Sequence, residues 1–338
     1  MSYSNDLQQL IKDILSHKSI SFVGMEKNTG KTEALNFVLR SLSASSLRIA
    51  ITSVGLDGEK QDYIFSTSKP EITIYPKTTF VTAENLYRTR QITSSIKDIS
   101  LQMTALGRLI TATAITKGRV ILAGPSNTSS LRQLIATLLE DNDICLIDGA
   151  LSRLSVGSPS VTDAMVLSTG AAVSMNMETV VSKTEFVYRM TQLEAINEPL
   201  RSRLNSIQSG IYAIDGNNPV ALSIPSLLVL EKYKDILFSC GNRLFISGIL
   251  TNSLLSFLLT QRDISSIELI ISDFTKIFSS IQLTYSFLQR GGNLRVVTPT
   301  NLIGITINPV APTGFRFDAT RLQNAIAERV SVPVFNVK

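Results

Sequence analysis

Three adjacent residues, Gly30, Lys31 and Thr32, have the types and order needed to hold a phosphorylated ligand. Backbone N–H groups at a helix N-terminus attract anions, a lysine reaches the β and γ phosphates of a nucleotide, and a neighbouring hydroxyl coordinates Mg²⁺. The sequence therefore predicts a phosphate loop with Mg²⁺ bound at Thr32. The residues predicted to contact the nucleotide are Gly24, Lys27, Asn28, Thr29, Gly30, Lys31, Thr32 and Glu33.

The entrance of this loop departs from the usual G-x-x-x-x-G-K-T pattern. Met25 stands at the position of the first glycine, and the nearest glycine, Gly24, comes one residue early. Two alternatives to a working loop follow from this departure. In the first alternative, the Gly-Lys-Thr triplet occurs by chance at a strand–helix turn. In the second, the loop has decayed and no longer binds a nucleotide.

A metal-bound nucleotide also needs an acidic residue near the loop. The run "DICLIDGA", residues 143–150, is an apolar strand that ends at Asp148, which places a carboxylate at the tip of a strand predicted to lie beside the first strand. We therefore predict Asp148 as a metal ligand. An ordinary Asp-Gly turn is the alternative.

Two further charged residues are assigned catalytic roles together with Lys31. Asp57, in "TSVGLDGEK", is predicted to orient the metal or the attacking water, with Glu59 as an alternative and a simple turn at Asp57-Gly58 as a competing interpretation. Arg153 follows the Asp148 strand and is predicted to neutralise charge that develops on the phosphates. A solvated loop arginine is the alternative for that residue.

The base of the nucleotide leaves a weaker signal. No N-K-x-D sequence, which would recognise guanine, is present, so ATP is preferred over GTP without excluding GTP. Asn308, at the end of a strand, is a candidate contact to the base edge. An asparagine before a proline is also common in turns.

Elements of alternating type must position these residues. An apolar run at residues 20–23 precedes the loop and a helix pattern at residues 32–42 follows it, and strand and helix patterns alternate over most of the chain. This alternation predicts an α/β fold of the P-loop type, with a mostly parallel sheet and flanking helices. The expected domains are a nucleotide-binding domain at 1–195 and a C-terminal α/β domain at 196–338, or one large domain.

Some local predictions rest on weaker sequence patterns. Residues 109–115 and 119–123 are predicted to be neighbouring strands around a turn at Lys117-Gly118, and the region before residue 105 is predicted to end in a polar helical stretch. The final "VPVFNV" predicts an edge strand.

Composition limits the function classes. The chain has 338 residues, 44% of them hydrophobic, and a net charge of +5 from scattered basic residues, so nucleic acid is not expected as a partner. His17 is the only histidine, which excludes Ser-His-Asp catalysis and histidine metal clusters. Cys145 and Cys240 predict two buried thiols in a reducing compartment. With no membrane-spanning run, a cytoplasmic location is expected.

Two family resemblances add to these predictions. The segment "KNTGKT" is similar to the loop "GYKNSGKT" of the molybdopterin guanine dinucleotide biosynthesis GTP-binding proteins. Several stretches spread across the chain resemble reactivase subunits of the adenosylcobalamin-dependent lysine 5,6- and ornithine aminomutases. These stretches are "VGMEKNTGKT", "SVGLDGEKQDYIF", "SKPEITIYPKTT", "LIDGALSR", "TDAMVLSTGAAVS", "ITINPVAPTGFRFD" and "PVFNV". The second resemblance implies ATP-driven removal of damaged cobalamin from an aminomutase, with a MutS-like subunit as partner.

Three functions remain open on the sequence. The first is a Mg-ATP-binding NTPase that hydrolyses ATP and acts as a nucleotide-driven switch or chaperone on a partner enzyme. The second is a small-molecule kinase or ATP-dependent synthetase of the dethiobiotin synthetase type. The third is a non-catalytic binding module with a decayed phosphate loop.

Overall fold

Alternating strand and helix patterns produce an α/β fold, as the sequence predicts. The computed structural model describes residues 2–55, 72–104, 106–150, 161–224 and 232–337. The chain divides into two units, the first formed by residues 1–185 with 301–338 and the second by residues 186–300. The division expected from the sequence, at residues 195 and 196, differs from this one because the last strands of the chain return to the first sheet.

The strands of the first unit include two that come from the end of the chain. In chain order, the first-unit strands are β1 (Ser19–Gly24), β2 (Ile49–Ser53), β3 (Ile72–Ile74), β4 (Thr79–Ala83), β5 (Ser94–Thr104), β6 (Gly107–Ala114), β7 (Gly118–Val120), β8 (Ile144–Ala150) and β9 (Ala164–Gly170). The second unit contains β10 (Ile211–Asp215), β11 (Asn218–Leu222), β12 (Arg243–Ile246), β13 (Glu268–Ile271) and β14 (Asn293–Val296). The first unit is completed by β15 (Leu302–Asn308) and β16 (Val334–Asn336).

The helices are distributed over both units. Those that begin before residue 186 are α1 (Ser2–Leu15), α2 (Lys31–Leu42), α3 (Glu84–Tyr87), α4 (Thr128–Asp141) and α5 (Met177–Thr191), and α5 continues across the boundary between the units. The later ones are α6 (Leu200–Asn205), α7 (Lys234–Leu237), α8 (Asn252–Leu259), α9 (Ile281–Gln289) and α10 (Ala319–Ala327). Polar side chains cap the N-termini of α4, α8, α9 and α10.

A nine-stranded sheet organises the first unit, in the order β16-β15-β9-β1-β8-β2-β4-β6-β5. The strands from β16 to β4 run parallel, and β6 is antiparallel to both of its neighbours. From β1 the chain passes to β2 on one side, whereas β9 leads to β15 on the other side. In open α/β sheets, ligands bind outside the carboxyl ends of the strands at such a reversal of order.

The central strand β8 shows how the sheet is buried on both faces. Ile144 and Leu146 lie in a core cluster with α1 and α2, whereas Cys145 and Ile147 lie in a cluster with α4. Because successive side chains of a strand point to opposite faces, a strand covered on both faces is apolar throughout. Burial raises the pKa of the Cys145 thiol to about 12.

The second unit has its own sheet and core. Its five strands lie in the order β11-β10-β12-β13-β14, with β12, β13 and β14 parallel. The helices α8 and α9 are the crossover helices between these strands, as parallel pairing requires. A separate apolar cluster contains Ile214, Phe245 and Ile270.

Three local predictions are wrong. The strands β6 and β7 are not neighbours, because β6 pairs with β4 and β5 while β7 pairs with β3. The stretch predicted to be helical contains only the short α3, and β5 then runs for 11 residues. Cys240 is exposed, not buried. The expected edge strand near the end of the chain is confirmed as β16.

Candidate phosphate-binding site

Glycine is required at both ends of the turn between β1 and α2. At Gly24, a Cβ atom would lie 2.7 Å from Thr29 Oγ1, closer than any side chain tolerates. Gly30 has φ +91°, in the left-handed region, and a Cβ there would lie 2.7 Å from the Cβ of Asn308. Gly24 therefore allows the close approach within the loop even though Met25 occupies the usual glycine position.

The N-terminus of α2 has free hydrogen-bond donors. Gly30 is its N-cap residue and no side chain caps the helix, whereas the first intrahelical bond runs from Ala34 N to Gly30 O at 3.0 Å. Because the first N–H groups of a helix have no intrahelical acceptor, those of residues 31–33 point out of the helix, and no residue that the structure describes accepts a hydrogen bond from them. They form a positive pole that suits an anion.

The loop residues before the helix are held by their own hydrogen bonds. Thr29 is buried and its hydroxyl donates to Glu26 O at 2.9 Å. Asn28 adopts φ +64° and is exposed, as is Lys27. The predicted contact residues from 27 to 33 thus surround the open end of α2, with Glu33 exposed on its first turn.

Lys31 and Asp148 meet at this end of the sheet. Lys31 Nζ lies 2.6 Å from Asp148 Oδ1, and both side chains are largely buried. Apart from this ion pair, no hydrogen bond of favourable geometry from a described residue reaches Asp148 Oδ1, which is buried. The strand β8 lies directly beside β1, as predicted, with Asp148 in register with Phe22 and Ser53. The structure therefore brings the predicted lysine and the predicted metal ligand together.

The Met25 side chain contacts α5. Its sulfur is 3.5 Å from the hydroxyl of Thr184 in α5, which also contacts Thr169 Oγ1 at 2.9 Å. Both threonines are fully buried, so the thioether is directed into the protein. The Met25 backbone N–H donates to Ser168 O of β9 at 2.9 Å, which fixes the start of the loop.

Asn308 supports the loop from the end of β15. Its Nδ2 donates to Asn28 O at 3.3 Å, and its Oδ1 accepts from Val310 N at 3.1 Å. Both polar atoms of the side chain already have partners within the protein, so the suggested contact to a base edge is not what the side chain does in this structure. Sequence reasoning missed this supporting role because only the strand order places β15 near the loop.

The remaining predicted residues differ in what can be said of them. Thr32 is partly exposed, and within the described residues its hydroxyl has no hydrogen-bond partner. Asp57, its alternative Glu59, and Arg153 lie outside the described residues. Within those residues no group of three or more His, Cys, Asp or Glu side chains is arranged to hold a metal ion.

Comparisons with known proteins add no assignment. No family model matches the chain, and neither the curated proteins nor the solved structures contain a match to it. Across the described residues, every helix is too short or too polar to cross a bilayer.

Proposed function

We propose that this chain binds a magnesium nucleoside triphosphate, with ATP preferred, and uses it as a switch or chaperone acting on a partner enzyme. The observation that supports this proposal best is the Lys31–Asp148 ion pair of 2.6 Å at the uncapped start of α2. A lysine, a carboxylate and free backbone donors meet where an open α/β sheet binds ligands.

The residues present fit such a ligand. Gly24 and Gly30 leave space that a Cβ would fill, and the buried Asp148 Oδ1 has no second partner in the part of the chain that the structure describes. Thr32 and Asp148 would hold Mg²⁺, directly or through water, while the amides of residues 31–33 bind phosphate oxygens. The metal supplies neutralisation of the negative charge on the β and γ phosphates.

Lys31 provides a means of switching. Without a nucleotide its ammonium group compensates Asp148, and a bound phosphate offers it a second, more highly charged partner. Transfer of the lysine from Asp148 to the phosphate releases the carboxylate for the metal. Nucleotide and metal binding are then coupled through one side chain, as a two-state switch needs.

The Met25 geometry supports a working loop over a decayed one. A decayed loop is expected to fill its cradle, whereas the thioether packs against Thr184 and leaves the helix terminus open. The partner enzyme is a separate step of the proposal. An adenosylcobalamin-dependent aminomutase with its MutS-like subunit is the first partner to test, because only the resemblance of the sequence motifs points to it.

Binding is tested by isothermal titration of ATP and GTP with and without Mg²⁺, using the full chain and Lys31→Ala. The expected loss of affinity in the variant is about 100-fold, or about 2.7 kcal/mol, because the phosphate loses a charged donor. Lys12→Ala, an exposed lysine on α1, is the matched control and should bind like the unmodified chain. Equal affinity in both variants, or no binding to the unmodified chain, contradicts the proposal.

Turnover distinguishes a switch from a metabolic enzyme. A switch should hydrolyse ATP slowly and be stimulated by its partner protein, so phosphate release is measured with and without aminomutase. Rapid turnover that depends on a small metabolite would instead establish a kinase or synthetase.

A further inference from the structure

Ser53 stands beside Asp148, at the carboxyl end of the neighbouring strand β2. The two residues are paired in the parallel register of β2 and β8. Ser53 is 6% exposed, and its hydroxyl donates to the backbone carbonyl of Asp148 at 3.1 Å. The backbone N–H of Val54 donates to the same carbonyl oxygen, also at 3.1 Å. Two hydrogen bonds from β2 therefore fix the backbone that carries the Asp148 carboxylate.

The side chains of Ser53 and Asp148 lie on the same face of the sheet. Successive side chains of a strand alternate between the two faces, so residues two positions apart share a face. Two positions earlier, the paired residues Ile51 and Leu146 both belong to the core cluster that contains the buried residues of α2. Lys31, the first residue of α2, meets Asp148 on this face. The Ser53 hydroxyl is therefore next to the proposed metal site.

The direction of the Ser53 hydrogen bond determines what the hydroxyl can still do. A carbonyl oxygen only accepts, so the single hydroxyl proton of Ser53 is used in the bond to Asp148 O. The hydroxyl oxygen can still accept, and no residue that the structure describes donates to it. A water on Mg²⁺ points its protons away from the metal and needs such an acceptor. Mg²⁺ keeps several of its waters when it binds to protein carboxylates.

We propose that Ser53 is a positioning residue of the magnesium site, which accepts a hydrogen bond from a metal-bound water beside Asp148. The inference rests on the proposed function, because it assigns a further residue to the same metal. Neighbouring strands lie about 4.8 Å apart, and two hydrogen bonds of about 2.8 Å through a water span slightly more than that distance. Ser53 should therefore change the requirement for Mg²⁺ and leave the affinity for the metal-free nucleotide unchanged.

Isothermal titration of ATP at a series of Mg²⁺ concentrations tests this role in the full chain. Ser53→Ala should raise the Mg²⁺ concentration for half-maximal nucleotide binding about fivefold, because the metal-bound water loses its acceptor. Titration without Mg²⁺ should give the affinity of the unmodified chain. Ser53→Thr keeps the hydroxyl and should bind like the unmodified chain at every Mg²⁺ concentration.

The matched control removes the hydroxyl of the preceding residue in the same strand. Thr52 is fully buried and donates to Ala123 O at 3.4 Å, within the core cluster on the α4 side of the sheet. Because its side chain lies on the opposite face from Ser53, Thr52→Val should leave the Mg²⁺ requirement unchanged.

The outcomes separate this inference from the proposed nucleotide site. If Ser53→Ala has the Mg²⁺ requirement of the unmodified chain, or shifts it no more than Thr52→Val does, the inference is overturned and the nucleotide site is not. A loss of affinity in Ser53→Ala that is the same with and without Mg²⁺ also overturns it, because the hydroxyl then serves the fold. If the unmodified chain binds no ATP, the inference and the proposed function both fail.

Discussion

Two strand–helix junctions with the same plan behave differently at their helix starts. In the first unit β1 leads to α2, and in the second unit β12 leads to α8, each from a parallel strand of its sheet. The helix α8 is capped by Thr251, whose hydroxyl accepts from Leu254 N at 3.3 Å. The helix α2 begins at Gly30 without a side-chain cap.

This difference is what the proposed nucleotide site predicts, because a bound phosphate would take the place of a side-chain cap at α2. Side chains also cap α4, α9 and α10, through Asn127, Ser280 and Asp318. A cap of this kind contributes about 1 kcal/mol to stability, so a helix of 12 residues that does without one leaves its donors to something else. With Lys31 and Asp148 nearby, the proposed partner of these donors is the phosphate of a magnesium nucleotide.

The largest effect is expected at Gly30, because a side chain there is strained and enters the loop. Gly30→Ala should lower the free energy of unfolding by about 1–3 kcal/mol and abolish measurable nucleotide binding. Gly216, in the turn between β10 and β11, is the matched control, since it has φ +59° and nothing within 4 Å of its Cβ position. Gly216→Ala should destabilise the chain by about 1 kcal/mol and leave binding unchanged. Thermal unfolding and titration of both variants check this contrast, which fails if Gly30→Ala still binds.

A smaller effect, confined to the metal, is expected at Asp148. Asp148→Asn should weaken binding of the magnesium nucleotide about 10-fold, or about 1.4 kcal/mol, since a charged ligand is lost. Binding without Mg²⁺ should stay the same or improve, because Lys31 is released from its ion pair. Titrations with and without Mg²⁺ measure the two effects separately.

The control for this variant lies at the other end of the same strand. Asp143 is exposed just before β8, where hydrogen bonds from Arg48 hold the pKa of its carboxyl below the usual value. Asp143→Asn should leave both titrations unchanged. A loss of the same size in the two variants would mean that Asp148 acts on the fold and not on the metal.

Asn308 should have a more modest effect, because it supports the loop without being a predicted ligand. Asn308→Ala removes the contact to Asn28 O and should lower nucleotide affinity about fivefold, or about 1 kcal/mol. The matched control is Asn301→Ala at the amino end of the region that leads into β15, where Nδ2 donates to Asp163 O at 3.1 Å. Titration of the two variants should show a loss only at position 308.

The sequence predicted the features that depend on neighbouring residues and missed those that depend on contacts between distant segments. The strand, loop and helix around Lys31 can be recognised from local patterns. The apolar run that ends at Asp148 is likewise a local signal, because only a strand buried between other strands is apolar throughout. The pairing of β15 with β9 is set by contacts between distant segments, so neither the return of the chain to the first sheet nor the support from Asn308 has a local signal. The alternation in β5 was obscured by its bulge at Lys97, which breaks the period of two.

The smallest effects on stability are expected at two threonines, one at the start of each helix, and they compare the two strand–helix junctions directly. Thr251→Ala removes the cap of α8 and should cost about 1 kcal/mol of unfolding free energy without changing nucleotide affinity. Thr32→Ala, in the first turn of α2, should leave stability unchanged, because its hydroxyl has no partner among the described residues, but should weaken Mg²⁺-dependent binding. If only the junction at α2 binds a ligand, Thr251→Ala should lower the free energy of unfolding without affecting nucleotide binding, and Thr32→Ala should do the reverse. Unfolding and titration curves of the two variants measure these effects. Two variants that lose stability equally and bind equally well would mean that the hydroxyls of both junctions serve the fold alone.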